Sequence, residues 1–376
     1  MLNLPAIVIA NTAGLLLMII VASSSMRQAR FGLPDERLFN GMLIFTMLEC
    51  IIEPCTFLID GHVGVGFTAA NYLLNTALFC FNILFAFTWT LYVDYKIFND
   101  LSRFKRIYPF IALPALFVCV GSIINLFHPV FYTISADNVY SRTPLYTITY
   151  IFTYFYLLYG VALVYIFRGQ TNRYMFLPAA FFMIPIAIGS ILQFAFYGLS
   201  LVWLGASIAM VSLYINVQKE AASVDQLSGL YSRQYFIECL NDEFARPPHE
   251  DIFAGIMLDI DRFKSINDTF GHRMGDEAIA AVGSLLRHCT HQKAMAARYA
   301  GDEFVVIMRV RSDEEVKRMM TCIDQACREL SEAHTNPFEL TMSMGYALRL
   351  GKDDTVDGFL ERMDSKMYEQ KHLLTR

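Results

Sequence analysis

The sequence predicts two regions of different fold class: an all-α transmembrane bundle of about seven helices, followed by an α+β domain. Two observations predict this. The 376-residue chain has a positive mean hydropathy of +0.40 and only 17% charged residues, too apolar for an ordinary soluble protein. The excess lies before Val217, and from Lys219 onward the charge density becomes that of a water-exposed domain. The boundaries drawn on that shift are 1–217 for the membrane region, 218–224 for a short helical linker and 225–376 for the C-terminal domain.

A helix needs about 20 apolar residues to cross the hydrocarbon core. That length fits at Leu4–Ser23, Leu38–Ile59, Phe67–Val93, Ile107–Phe127, Leu145–Phe167, Tyr174–Phe196 and Leu199–Val217. The uncharged stretch from Tyr174 to Gln218 is too long for one span, so it must turn back, most simply at Tyr197-Gly198. Basic residues crowd the odd-numbered loops: Arg27, Arg30 and Arg37, then Lys96, Arg103, Lys105 and Arg106, then Arg168 and Arg173. The even-numbered loops hold only Arg142. The positive-inside rule then puts the N-terminus outside and the C-terminal domain in the cytoplasm, as expected of a multi-pass membrane protein. The first span lacks a basic n-region and reads as an anchor in the lipid bilayer, not a cleaved leader. None of the 8 cysteines has metal-site spacing, so neither zinc nor disulfides are expected, and Cys322 and Cys327 read as packing residues of a helix.

Polar residues inside the spans stand out. Glu49 and Glu53 share a helix face with Pro54 directly after them, and Asn71, Asn75 and Asn82 lie on one stripe of the third span. Ionisable groups at membrane depth are costly and usually face a bundle interior or a watery cavity, which makes a pocket for an unknown sensory ligand one reading. Interhelical hydrogen bonding that only holds the bundle together is the other. In the linker, Val217, Ala221 and Val224 keep the spacing of a short parallel coiled coil, with a plain helix as the alternative.

The C-terminal domain alternates helices and strands: a helix at Arg233–Phe244, a strand at Ile252–Asp259, and a helix at Asp276–Cys289. A hairpin follows, then a helix at Asp313–Ala333, a strand at Phe338–Arg349 and a helix at Val356–Lys371. This is the pattern of a mainly antiparallel sheet covered by helices. The hairpin runs from Met295 through Arg298-Tyr299-Ala300-Gly301-Asp302-Glu303-Phe304 to Met308, with two carboxylates at its tip. The strand Ile256 to Asp261 also ends in carboxylates and continues through Phe263-Lys264-Ser265-Ile266-Asn267-Asp268 to Gly275-Asp276.

Together these stretches resemble the GGDEF family of diguanylate cyclases, whose FKxINDxxGHxxGD and RYGGDEF patterns they match almost residue for residue. Asp225-Gln226-Leu227-Ser228-Gly229-Leu230 matches an earlier signature of that family, and Thr341 to Gly345 a later one. The resemblance covers about Asp225 to Lys371. It implies a fold related to the palm of nucleotide cyclases and polymerases, GTP as substrate, a homodimer and a divalent metal. No nucleic-acid partner is expected.

By that resemblance Asp259, the Ile260 carbonyl, Asp302 and Glu303 would hold magnesium or manganese, for which hard oxygen ligands are suited. Asp302 and Glu303 would be catalytic. Asn267 and Asp276 occupy the guanine-binding positions and offer the donors and acceptors guanine requires. Backbone amides at Arg262, Phe263 and Lys264 would cradle phosphates, with Lys371 as a further phosphate ligand, and Ala300 and Gly301 would approach the nucleotide.

The chain departs from the family at Ala300, where a glycine is usual and where a positive φ would penalise alanine. It departs again at Thr375, where an arginine is frequent. The product-inhibition motif RxxD would fall at His291-Gln292-Lys293-Ala294 and is absent, so no inhibitory site is expected. The expected activity is synthesis of cyclic di-GMP from two GTP under control of the membrane region. The alternative is a non-catalytic GTP-binding regulator acting through a partner.

Overall fold

The computed structural model describes residues 3–28, 34–167, 173–196, 199–247, 251–290, 294–332, 337–351 and 353–374. The chain divides into two compact units, Met1–Gln218 and Lys219–Arg376.

The first unit is helical: α1 (Leu4–Gln28), α2 (Pro34–Ile59), α3 (Val65–Phe98), α4 (Leu101–Ile111), α5 (Leu113–Ile124), α6 (Tyr146–Ile166), α7 (Arg173–Ala195) and α8 (Val202–Ala222). A small hairpin, β1 (Tyr132–Ile134) with β2 (Tyr140–Arg142), precedes α6. Among the described residues, four helices (α1, α2, α3 and α6) are long and apolar enough to cross a membrane, or five if α4 and α5 form one broken span. That count does not confirm the expected seven. The fourth expected span is not one helix, because the chain bends by 53° between α4 and α5. Pro109 inside α4 and Pro114 at the start of α5 remove backbone donors there. Helices do occupy the sixth and seventh places, as α7 and α8, but α8 ends in the polar run Asn216 to Glu220, which lowers its apolar content. Tyr197-Gly198 lies outside the described residues.

Loops of like parity meet in this unit. The amide of Gly61 donates to the Asn138 carbonyl at 2.9 Å, and Asn71 donates to both Asn138 and Asp60. Elsewhere Lys96 pairs with Asp35 at 3.5 Å, and buried Asp94 takes Arg103 through both carboxylate oxygens at 2.6 and 2.8 Å. The second and fourth connections therefore share one end of α3, and the first and third share the other.

In the second unit, α9 (Arg233–Ala245), β3 (Ile252–Ile260), α10 (Phe263–Phe270), α11 (His272–Thr290), β4 (Ala294–Ala300), β5 (Glu303–Val310), α12 (Asp313–Glu332), β6 (Met342–Leu348) and α13 (Val356–Leu374) follow in order. The sheet runs β4-β5-β3-β6, antiparallel throughout. β3 is central and buried from Phe253 to Ile260, which explains its unbroken apolar run. Its Ala254, Ile256, Leu258 and Ile260 face a core shared with α11 and α12, and its Phe253 and Met257 pack with α9 and α13. Period two then puts Asp259 on the α13 face. On β6 a β-carbon at Gly345 would run into the backbone of Met363 and Met367, so glycine lets α13 lie directly on the sheet.

Some boundaries differ from expectation. β6 begins at Met342, not Phe338, and α11 begins at His272, a turn before Asp276. α10 was not expected; its octet is amphipathic but short, and it is launched by Arg262 in the left-handed region at φ 55°. α8 continues only to Ala222, and Val224 forms a bridge with Tyr231, so the third coiled-coil position is not helical. Cys327 is buried on α12, whereas Cys322 is exposed and its thiol sits 3.5 Å from that of Cys289.

Candidate active site

Three chain segments converge at the end of β3. Asp259 stands directly opposite Glu303 on β5 and Ser343 on β6 in the strand register, and is itself 5% exposed. The Ile260 amide donates to the Asp302 carbonyl at 3.2 Å, which fixes the hairpin tip against the strand end. From the third side, the Lys371 ammonium on α13 reaches Asp259 Oδ1 at 2.6 Å.

The tip is a two-residue connection, because Ala300 pairs with Glu303 and leaves Gly301 and Asp302 between the strands. Only Gly301 there has positive φ, at 46°. Ala300 ends β4, is exposed and lies outside the left-handed region, so the penalty considered for alanine does not arise. Arg298 braces the turn: its Nε donates to the Gly301 carbonyl at 2.9 Å and its Nη1 to both oxygens of Asp225 at 3.2 Å. Asp225 in turn accepts from the Ser228 amide at 2.8 Å and hydroxyl at 2.7 Å. The early signature and the hairpin are thus one hydrogen-bonded piece.

Electrostatically the site has too much negative charge. Burial raises the Asp259 pKa and outweighs the Lys371 contact, and Asp302 and Asp261 push it further. Glu303 is raised by burial, then by Asp259 and Asp302. Burial opposes the Lys371 charge, yet Asp259, Asp302 and Asp261 hold its pKa above that of an ordinary lysine. One ammonium serves several carboxylates, and a hard cation suits such a donor set. Among the described residues no three His, Cys, Asp or Glu side chains converge as a closed metal cage. Asp259 is engaged by Lys371 instead.

The guanine and phosphate positions lie on the next two helices. The amides that follow Arg262 open α10, and helix N-terminal amides are natural anion ligands. Phe263 is half-buried, while Arg262 and Lys264 are exposed. Half-buried Asn267 on α10 lies over Gly275 on α11, where a β-carbon would collide with its Oδ1. Asp276 is exposed one turn inside α11, so capping does not account for it. Sequence reasoning assigned no role to Asp261, whose Oδ1 accepts from the Ser343 hydroxyl at 2.6 Å, nor to the Asp225–Arg298 brace. The signal for both was their presence inside the matched motifs. His291, Thr375 and Arg376 lie outside the described residues.

In the first unit, Glu49 and Glu53 are both buried on α2, as are Asn71 and Asn75 on α3. They do not form one cluster. Asn75 donates to Asn71, which belongs to the Asn138 network, whereas Asn82 accepts from Thr153 at 2.9 Å.

Residues 222–374 match the family described as diguanylate cyclase, GGDEF domain. The chain is 27% identical over 184 residues to diguanylate cyclase A of Treponema denticola, covering 48% of this chain and 50% of that one. It is 30% identical over 154 residues to diguanylate cyclase DgcZ of Escherichia coli, covering 40% and 50%. Among solved structures it is similar to the coiled coil and GGDEF domain of DgcB from Caulobacter crescentus in complex with c-di-GMP. The TM-score there is 0.39 at 27% identity, covering 44% of this chain and 90% of that one. The chain spans about half the length of these curated relatives.

Proposed function

We propose that the GGDEF domain at residues 222–374 makes this chain a diguanylate cyclase: it joins two GTP into cyclic di-GMP with release of two pyrophosphates, controlled by its apolar helical unit. The observation that carries this reading is the register of Asp259 opposite Glu303 beside the Gly301-Asp302 turn, with Lys371 closing the third side.

In each transfer the 3′-hydroxyl oxygen of one GTP bonds to the α-phosphorus of the other. The bond from that phosphorus to the oxygen bridging to the β-phosphate breaks, and pyrophosphate leaves. Asp302 takes the hydroxyl proton. Asn267 and Asp276 hold guanine, and the amides at Arg262, Phe263 and Lys264 bind the outer phosphates. Lys371 moves from Asp259 to phosphate. Magnesium or manganese, held by Asp259, Asp302, Glu303 and the Ile260 carbonyl, would supply charge neutralisation and polarise the phosphate. The reaction needs a homodimer, because each domain presents one GTP and two must face each other. The basic loops put the domain in the cytoplasm and the first helix's start outside the inner membrane. Ala300 carries no backbone strain, so no observation favours the non-catalytic alternative.

Purified full-length protein given GTP and magnesium should form cyclic di-GMP. Unchanged GTP under conditions where GTP binding is measurable would overturn the reading.

A further inference from the structure

Within the first unit one buried cluster has acceptors without donors. Glu53 on α2 is served: Asn11 Nδ2 on α1 donates to its Oε2 at 3.1 Å, and the Ser200 hydroxyl, just before α8, donates to the same oxygen. Glu49, one turn earlier on the same face, is 1% exposed, and among the described residues neither of its carboxylate oxygens has a hydrogen-bond partner. Its electrostatic neighbours are Glu53 on its own helix and Cys80 on α3, and the Asn82 backbone on α3 is turned toward it without meeting hydrogen-bond geometry. Asn11, also 1% exposed, uses its amide nitrogen on Glu53 and the Ile7 carbonyl, and its Oδ1 likewise has no partner.

An isolated carboxylate without partners inside an apolar bundle costs several kcal/mol, and a buried acceptor left unpaired costs about 1–3 kcal/mol. Three orphan oxygens on two facing helices therefore call for something positive between them. A proton adds one donor and leaves at least one of the three unserved. A divalent ion would ask for both carboxylates as ligands, but Glu53 already spends its Oε2 on Asn11 and Ser200. A monovalent metal ion needs only the one free carboxylate, Glu49, and a few further hard oxygens.

We propose that Glu49, Asn11 and Glu53 form a binding site for a monovalent metal cation between α1, α2 and α3. Nothing in this inference depends on the enzymatic reading, and its test uses no turnover.

The test is thermal stability of the full-length protein in detergent, titrated with lithium, sodium or potassium chloride against choline chloride at constant ionic strength. At least one of the three ions should raise Tm saturably. Glu49→Gln keeps the side-chain shape and should weaken that ion's apparent affinity by about a hundredfold, and Asn11→Ala by about tenfold. Should Glu49→Gln fail to fold, Asn11→Ala carries the test. No saturable ion effect in the wild type would overturn the proposal. So would an equal effect in a folded variant, or a Tm that responds to pH and to none of the ions.

Discussion

Lys371 Nζ lies 2.6 Å from Asp259 Oδ1, so a cation of the protein occupies the carboxylate that the reaction would need for metal. On the proposed reaction Lys371 would be a placeholder that gives up Asp259 to metal and moves to the triphosphate. Replacing it with alanine should do two opposite things. The freed carboxylate raises the apparent affinity for manganese measured in the absence of nucleotide. The lost phosphate contact lowers kcat/KM for GTP by about tenfold, the scale of one charge-assisted hydrogen bond at a partly exposed site. Metal titration and initial rates on the same preparation check both. Unchanged metal affinity would mean that the pair is not competitive.

In the proposed reaction Asp302 and Glu303 would hold metal, whereas Asn267 on α10 and Asp276 on α11 would hold guanine. Asp302→Ala and Glu303→Ala should each cut turnover by at least a hundredfold while GTP binding, read by equilibrium dialysis, persists. Glu303→Gln should also raise Tm without metal, since burial and the neighbouring Asp259 and Asp302 disfavour its charge. Wild-type turnover in both alanine variants would remove the metal assignment.

The sequence made the strand end and the hairpin tip legible through local motifs and period-two alternation, while Lys371 was named only through the family resemblance. What it left open depended on distant chain. The sheet order β4-β5-β3-β6 is set by pairings between segments far apart in sequence. The strain considered at Ala300 could not be judged from residue type, since φ there depends on how β4 pairs with β5, where the register shifts between Arg298 and Ala300. Hydropathy ignores backbone donors, so the bend between α4 and α5, with Pro109 inside one helix and Pro114 at the start of the other, falls within an apolar run that a ruler reads as continuous.

The end-to-end pairing of loops makes a topological prediction. Gly61 is hydrogen-bonded to Asn138, whereas Lys105 follows directly on the Asp94–Arg103 pair at the other end of α3. Reporter fusions at Gly61 and Asn138 should report one side of the membrane, and a fusion at Lys105 the opposite side. By the positive-inside rule, the Lys105 fusion should give the cytoplasmic signal. Opposite signals from Gly61 and Asn138 would break the arrangement regardless of orientation.

The brace between Asp225 and Arg298 predicts how the hairpin tip answers to acid. Burial alone would raise the Asp225 pKa, but the Ser228 amide and hydroxyl and the Arg298 guanidinium outweigh it and hold the carboxyl below its ordinary value. A carboxyl depressed in the folded state stabilises at any pH above its unfolded pKa of about 3.9, and that stabilisation is lost as pH falls through the folded value. The pair is mostly shielded, with side chains 18% and 26% exposed, so Asp225→Ala should cost about 1–2 kcal/mol locally at neutral pH. Hydrogen exchange of the Ala300 to Phe304 amides in full-length protein reads this directly. At pH 7 they should exchange about tenfold faster in Asp225→Ala than in the wild type, and the gap should close as pH falls through the lowered folded-state value and the wild-type carboxyl protonates. Arg298→Leu should show the same speeding at pH 7 and, because Gly301 loses its brace too, a fall in turnover. Equal exchange in all three proteins at neutral pH would show that the two-residue turn holds itself.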